Sequence, residues 1–325
     1  MKALVCRRYG PLEALAIEDI APPPLGDGDV RIAVRAASVN PPDVLMPAGK
    51  YQVRPELPFV PGIEAMGTVM ETGADVSDLR PGERVMTYAG QGCYAEQVVV
   101  PRRRVERVPA GMDDAQAAGF VLVYSTAYHG LVDCGGLAAG QAVAVLGAAG
   151  GIGLCAIQIA KAFGATVVAA AGSAARRDAC LAAGADLAVD GAPEGLADRL
   201  RRATGGRGAD VVLDVVGGDA TEPALRAVAP YGRLLIAGYA SGAIPMIKGN
   251  LVLLKQARVV GVSYRLFLER TPELAAANLR RLCELYEAGL LRPQVGAQFP
   301  FERVVDALRA LGERHAVGKI AVRMA

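Results

Sequence analysis

The rhythm of hydrophobic and polar positions changes about a third of the way along the chain. Residues 30–39 (VRIAVRAASV) alternate in part between apolar and polar, as a strand with one buried face should. Residues 65–72, 83–87 and 94–100 are shorter strand-like runs, and Lys2-Ala3-Leu4-Val5 opens the chain in the same way. Turn formers separate them: Pro22-Pro23-Pro24, Pro41-Pro42, Pro61-Gly62, Gly73, Pro81-Gly82 and Gly90-Gln91-Gly92. Short strands punctuated in this way predict a β-barrel-like domain. Further on, 113–119 and 125–133 look helical. From residue 142, strands at 142–146, 166–170, 186–189, 209–216, 232–237 and 258–262 alternate with helices at 151–163, 174–183, 194–204, 219–228 and 251–255. Apolar strands in a βαβ series predict an α/β domain with a parallel sheet. A long amphipathic helix at 273–288 follows, and 300–322 supplies one more helix and a closing strand.

Composition agrees with two folded domains. The chain has 325 residues, 52% hydrophobic and 21% charged, so a large core is possible. A net charge of +2, from 35 basic and 33 acidic side chains, is not that of a dedicated nucleic-acid binder. No apolar run of about 18 residues predicts a membrane span, and no charged segment followed by an apolar run predicts a signal peptide. The six cysteines are scattered without a C-x-x-C pair, and only His129 and His315 accompany them. That set gives no zinc site of conventional spacing and fits a reducing cytoplasm. Neither histidine is assigned a role.

The chemistry concentrates after the strand at 142–146. It runs into Gly147-Ala148-Ala149-Gly150-Gly151-Ile152-Gly153 and then a helix. Read from Ala148, this is A-x-G-x-x-G, a variant of the dinucleotide fingerprint in its required strand–turn–helix context. Ala149, Gly150, Gly151, Ile152 and Gly153 would let a pyrophosphate approach the helix N-terminus. An NAD site needs a carboxylate after the next strand. This chain has Ala170-Ala171-Gly172-Ser173, with Arg176 and Arg177 just beyond. Ser173 and the arginines suit a 2′-phosphate, which favours NADPH; the alternative is that both arginines are solvated helix residues. Val216-Gly217 and Gly238-Tyr239 follow strands at their carboxyl ends, where α/β sheets bind ligands.

Several segments then match a known family. Val39-Asn40-Pro41-Pro42-Asp43, Gly49-Lys50-Tyr51, 57–64 (LPFVPGIE), Pro81-Gly82-Glu83-Arg84-Val85, Tyr124-Ser125-Thr126-Ala127-Tyr128, Asn250-Leu251-Val252-Leu253-Leu254-Lys255 and Gly318-Lys319-Ile320 lie in order along nearly the whole chain. Together they resemble the zinc-independent quinone oxidoreductase branch of the medium-chain dehydrogenase/reductase superfamily. The resemblance implies a GroES-like catalytic domain from residues 1–122 and 265–325, a Rossmann domain at 123–264, and an active site between them. It also implies a homodimer joined along the edge strand at 258–262. Zinc-dependent relatives place a cysteine where Asn40 stands, a histidine where Ile63 stands and, in a looser alignment, a cysteine near Leu122. Their structural-zinc lobe is replaced by a short loop holding only Cys93. Catalytic zinc is therefore not expected.

Without a Lewis acid, hydride needs an acceptor that is already electron-poor, so a quinone or an α,β-unsaturated carbonyl is expected. Asn40 is the first candidate for a polar contact, unless it serves only the turn before Pro41. Tyr51 could donate to a carbonyl or protonate an enolate, unless it is a rim tyrosine. Tyr124 is a weaker candidate. Thr126 would touch the nicotinamide end or a helix start. Lys319 would reach the cofactor from the tail or stand in solvent. Two alternatives stay open: an enoyl-CoA reductase, using Arg54, Arg102, Arg103 and Arg104 for the CoA phosphates, and an NADPH-binding protein without turnover.

Overall fold

The computed structural model describes residues 1–312 and 317–324, so His315 lies outside the described residues. The chain divides into two compact units, Met1–Leu122 with Pro293–Ala325, and Val123–Arg292.

The first unit is built on Asp29–Val39. Its first half alternates half-buried and buried positions, as the sequence pattern predicts. It pairs antiparallel with Glu64–Thr72, Gln97–Pro101 and Lys319–Arg323. Arg84–Tyr88 and Val105–Arg107 extend the sheet on one side, and Val295–Pro300 joins Lys319–Arg323 in parallel on the other. The last strand of the chain thus closes a sheet begun by the first third. Leu4, Ile32, Ile63, Val85, Tyr94 and Ile320 share one core. Helix Val304–Gly312 adds Val304, Ala307 and Leu308 to it, a buried stripe at helical spacing.

Two local expectations change. Pro41-Pro42 opens a short helix, Pro41–Leu45, rather than a turn. Proline suits a first helical turn, where its missing N–H would have no partner. The strand expected at 94–100 starts only at Gln97.

The second unit holds six parallel strands. Their order is Leu187–Asp190, Thr166–Ala171, Ala142–Leu146, Ala209–Asp214, Val228–Ile236, Arg258–Gly261. In chain order this is 3-2-1-4-5-6, the doubly wound arrangement. Ala142–Leu146 is buried at every position. The expected helix at 125–133 is two elements: α-helix Val121–Tyr128, then a π-helical turn, His129–Cys134.

The chain leaves this unit at Arg292 and not at residue 264. Helices Tyr264–Arg270 and Pro272–Glu287 stay with the parallel sheet because their side chains find partners there. Phe267 stacks on His129 at 3.8 Å, and Asn278 donates to Asp133 at 2.7 Å. Gln158 grips Arg292 twice, donating to its carbonyl at 3.0 Å and accepting from its N–H at 2.9 Å. None of these long-range contacts is visible in hydrophobic periodicity. Among the described residues, no helix is long and apolar enough to cross a membrane.

Candidate functional site

The turn at 147–153 lies beside the point where strand order reverses, between the neighbours of Ala142–Leu146. Gly147 has φ +67°, a conformation glycine adopts without steric cost. A Cβ at Gly153 would sit 2.5 Å from the Gly147 carbonyl oxygen. Only glycine there lets helix Gly151–Ala162 start against the strand end. Gly150 is the N-cap and provides no side-chain acceptor. The first-turn N–H groups of Gly151, Ile152 and Gly153 and the positive helix end therefore face outward without an internal cap. These features fit a pyrophosphate.

At the next strand end, Gly172 and Ser173 are exposed. Ser173 caps helix Ala174–Ala182, accepting from the Arg176 N–H at 3.3 Å, which leaves its hydroxyl proton able to donate. Arg177 donates to the Ala171 carbonyl at 3.3 Å, so its guanidinium is anchored at the strand end. Arg176 is half-buried on the same helical turn. Thr166–Ala171 itself ends without a carboxylate, and Ser173, Arg176 and Arg177 follow it on the first turns of the helix; Asp190 ends the neighbouring strand beside Ala171.

Sequence reasoning passed over Asp214. It is fully buried at the end of Ala209–Asp214. Its carboxylate accepts from the N–H groups of Val216 and Gly217 at 2.8 and 2.9 Å and from the Thr221 hydroxyl at 2.6 Å. Three donors fix the turn that carries Val216 and Gly217. Gly217, at φ +69°, has no room for a Cβ beside the Tyr239 ring, so the two expected ligand-contact segments touch. An acidic residue ending an apolar strand was the available signal.

In the first unit, Asn40, Ser38, Glu64 and Lys319 form a buried polar cluster. Lys319 Nζ donates to Asn40 Oδ1 at 2.6 Å, to Glu64 Oε1 at 3.1 Å and to the Val39 carbonyl at 3.3 Å. Asn40 Nδ2 donates to Ser38 Oγ at 3.1 Å and to Glu64 Oε1 at 3.0 Å. The Leu122 N–H satisfies Glu64 Oε2 at 2.9 Å. Lys319 is therefore neither a solvated lysine nor a cation reaching out from the tail. The Asn40 amide is held on both its nitrogen and its oxygen, so the geometry favours a positioning role over a substrate contact. Losing one member of such a buried charge pair costs about 3–5 kcal/mol, because the other charge is stranded. The signal for this cluster was Glu64 itself, a lone carboxylate in the apolar run Ile63–Met66.

Asp43 lies beneath this cluster, fully buried, accepting the Asn40 N–H at 2.9 Å. Its other oxygen, Oδ1, has no partner among the described residues. Burial pushes its carboxyl up to about 7, against the lowering effects of the Asn40 hydrogen bond and the Lys319 charge.

These side chains do not fit a zinc ion. The Asn40 amide is committed, Ile63 is a buried hydrocarbon, and among the described residues no group of three or more His, Cys, Asp or Glu could hold a metal. Tyr51 is half-buried against the barrel core. Tyr124 is buried in the second unit and donates to Gln158 at 2.8 Å, a structural contact. Thr126 is buried in the same helix. Of the arginines considered for CoA, Arg102 pairs with Asp78 at 2.5 Å. Arg104 donates to the Ala89 carbonyl and Arg54 to that of Gly49, both at 2.9 Å. Local partners thus engage three of the four.

Comparison with known proteins adds independent findings. Residues 26–110 match the alcohol dehydrogenase GroES-like domain, and residues 151–280 match the family described as zinc-binding dehydrogenase. A quinone oxidoreductase-like protein 2 homolog of Nematostella vectensis is 34% identical, over 99% of this chain and 88% of that protein. The Escherichia coli quinone oxidoreductase complexed with NADPH superimposes with a TM-score of 0.92 at 26% identity, covering 99% of this chain and 100% of that one. A mycobacterial protein complexed with NADPH, Rv1454c, also reaches 0.92, at 29% identity and 99% coverage of both chains.

Proposed function

The chain belongs to the quinone oxidoreductase-like family of medium-chain dehydrogenase/reductases, and from that premise we propose that it reduces a quinone or an α,β-unsaturated carbonyl with NADPH and without zinc. The observation that carries this reading is the uncapped helix start at Gly150, followed one strand later by Ser173, Arg176 and Arg177 in place of a carboxylate. Bound NADPH would supply the hydride. Ala149, Gly150, Gly151, Ile152 and Gly153 would hold its pyrophosphate through backbone N–H groups. Gly172 gives room, and Ser173, Arg176 and Arg177 bind the 2′-phosphate. Val216, Gly217, Gly238 and Tyr239 would border the ligand at the strand ends, with the Val216 and Gly217 backbone fixed by Asp214. Thr126 is assigned to the nicotinamide end.

The barrel contributes position and a proton. Lys319 and Glu64 hold the Asn40 amide in one orientation. Tyr51 is the side chain proposed to hydrogen-bond the acceptor oxygen, where a phenol can stabilise developing negative charge and deliver a proton. An acceptor activated by its own conjugation asks no more of the protein than this. The enoyl-CoA alternative is weakened by the local pairing of Arg54, Arg102 and Arg104. Among the described residues no disulfide joins the cysteines, which suits a reducing cytoplasm.

The test is a turnover panel with purified protein, NADPH and NADH side by side, against a quinone, an enone and an enoyl-CoA. The proposal expects NADPH oxidation with the quinone or enone. Turnover with the enoyl-CoA alone would overturn the substrate class, and tight NADPH binding without any turnover would overturn the activity.

A further inference from the structure

A second chemical constellation lies in the π-helical turn His129–Cys134, which continues the helix that carries Thr126. In an α-helix, residues five apart point to different faces. A π-helical turn closes i to i+5 and brings them onto one face. Here that places Cys134 Sγ 3.4 Å from His129 Nε2. The other ring nitrogen, Nδ1, is 2.9 Å from Asp133 Oδ2. Asn278, buried on helix Pro272–Glu287, donates to the same carboxylate oxygen at 2.7 Å. The Phe267 ring lies nearly parallel to the imidazole, 14° between planes, and fixes its orientation. In the neutral tautomer whose Nδ1–H donates to Asp133, Nε2 turns its lone pair toward the thiol. Thiol, imidazole and carboxylate stand in the order of a nucleophile, its base and the group that orients the base.

We propose that Cys134 is an activated nucleophile that adds to small electron-poor conjugated carbonyls, with His129 as its general base and Asp133 positioning that base. As sulfur forms a bond to the β-carbon, its proton passes to His129 Nε2 and the π pair shifts toward the carbonyl. The proton then returns to the resulting enolate. The product is a thioether, with no net oxidation and no other reactant. Conjugate addition is chosen over acyl transfer because it needs only a nucleophile and a proton shuttle, both present here. Burial, and next the Asp133 charge, raise the Cys134 thiol, so the resting group is protonated and its reactivity depends on His129. The inference does not rest on the hydride-transfer reading.

The chain supplies its own control. Cys134 and Cys283 are the two half-buried cysteines, and the other four are buried. Brief exposure of the intact protein to limiting N-ethylmaleimide, followed by peptide mass mapping, should label Cys134 at least about tenfold faster than Cys283. His129→Gln should slow Cys134 labelling by roughly a hundredfold, with Cys283 labelling as the internal measure of folding. Asp133→Asn should slow it less. Equal labelling of the two cysteines in the native protein, or an unchanged Cys134 rate in a folded His129→Gln protein, would overturn the proposal.

Discussion

Asp43 shows how one buried group can govern behaviour across a pH range. Its carboxyl stands at about 7 in the folded chain against an ordinary 3.8, chiefly because it is buried. The folded state therefore binds this proton more tightly than the unfolded state. The stability it contributes is complete below about 3.8 and is lost as pH rises through about 7. At about 1.4 kcal/mol per pH unit, the loss is on the order of a few kcal/mol. Urea unfolding of the native protein and of Asp43→Asn between pH 4.5 and 7.5 should show the native protein losing stability relative to the variant as pH rises. Parallel curves would refute it. On the proposed reading Arg176 would carry the cofactor distinction: Arg176→Ala should raise the KM for NADPH at least about tenfold while barely moving that for NADH. Equal effects would remove the specificity claim. Arg176 and Ser173 could be named as candidates from the sequence because a cofactor site is read locally, from one strand end and the helix after it, and the structure places both at that helix start. Lys319 was not, because its partner Asn40 lies 279 positions away, and nothing in Gly318-Lys319-Ile320 distinguishes a buried lysine from a solvated one.

At the scale of elements, the turn at 147–153 depends on close approach of a helix to a strand. In Gly153→Ala the new methyl would lie 2.5 Å from the Gly147 carbonyl oxygen and 2.6 Å from the Ala148 backbone. The helix would have to move away, at a cost of about 1–3 kcal/mol. Thermal unfolding and NADPH titration should both register the loss. Gly172→Ala meets nothing within 4 Å and should melt like the native protein. If Gly153→Ala bound NADPH normally, the packing argument would fail. The strands were readable because periods of two and continuous apolar runs are local signals. The π-helical turn was not, since its apolar spacing resembles that of the α-helix it continues. Pro41-Pro42 misled for a related reason: proline marks both turns and helix starts, and only its neighbours decide.

At the scale of the whole molecule, Arg258–Gly261 ends the parallel sheet, and an unpaired strand edge invites association. Ile244, Met246, Leu253 and Leu254 in the same unit are all more than three-quarters exposed, an apolar surface that calls for a cover. A second copy paired edge to edge would provide it. Light scattering should give twice the chain mass, and Leu254→Glu should shift the protein toward monomer. A native protein that stays monomeric at every concentration would contradict this. The exit of the chain from the parallel-sheet unit after Arg292 also belongs to this scale, because Gln158, Asp133 and His129 set it through distant partners. The central claim is that geometry and hydrogen bonding, without a metal, deliver hydride from NADPH to a conjugated acceptor. It is tested most directly by following NADPH oxidation with a quinone in chelator-treated protein of measured zinc content. The account predicts undiminished turnover at far below one zinc per chain; activity that disappears with chelation and returns in proportion to added zinc would contradict it.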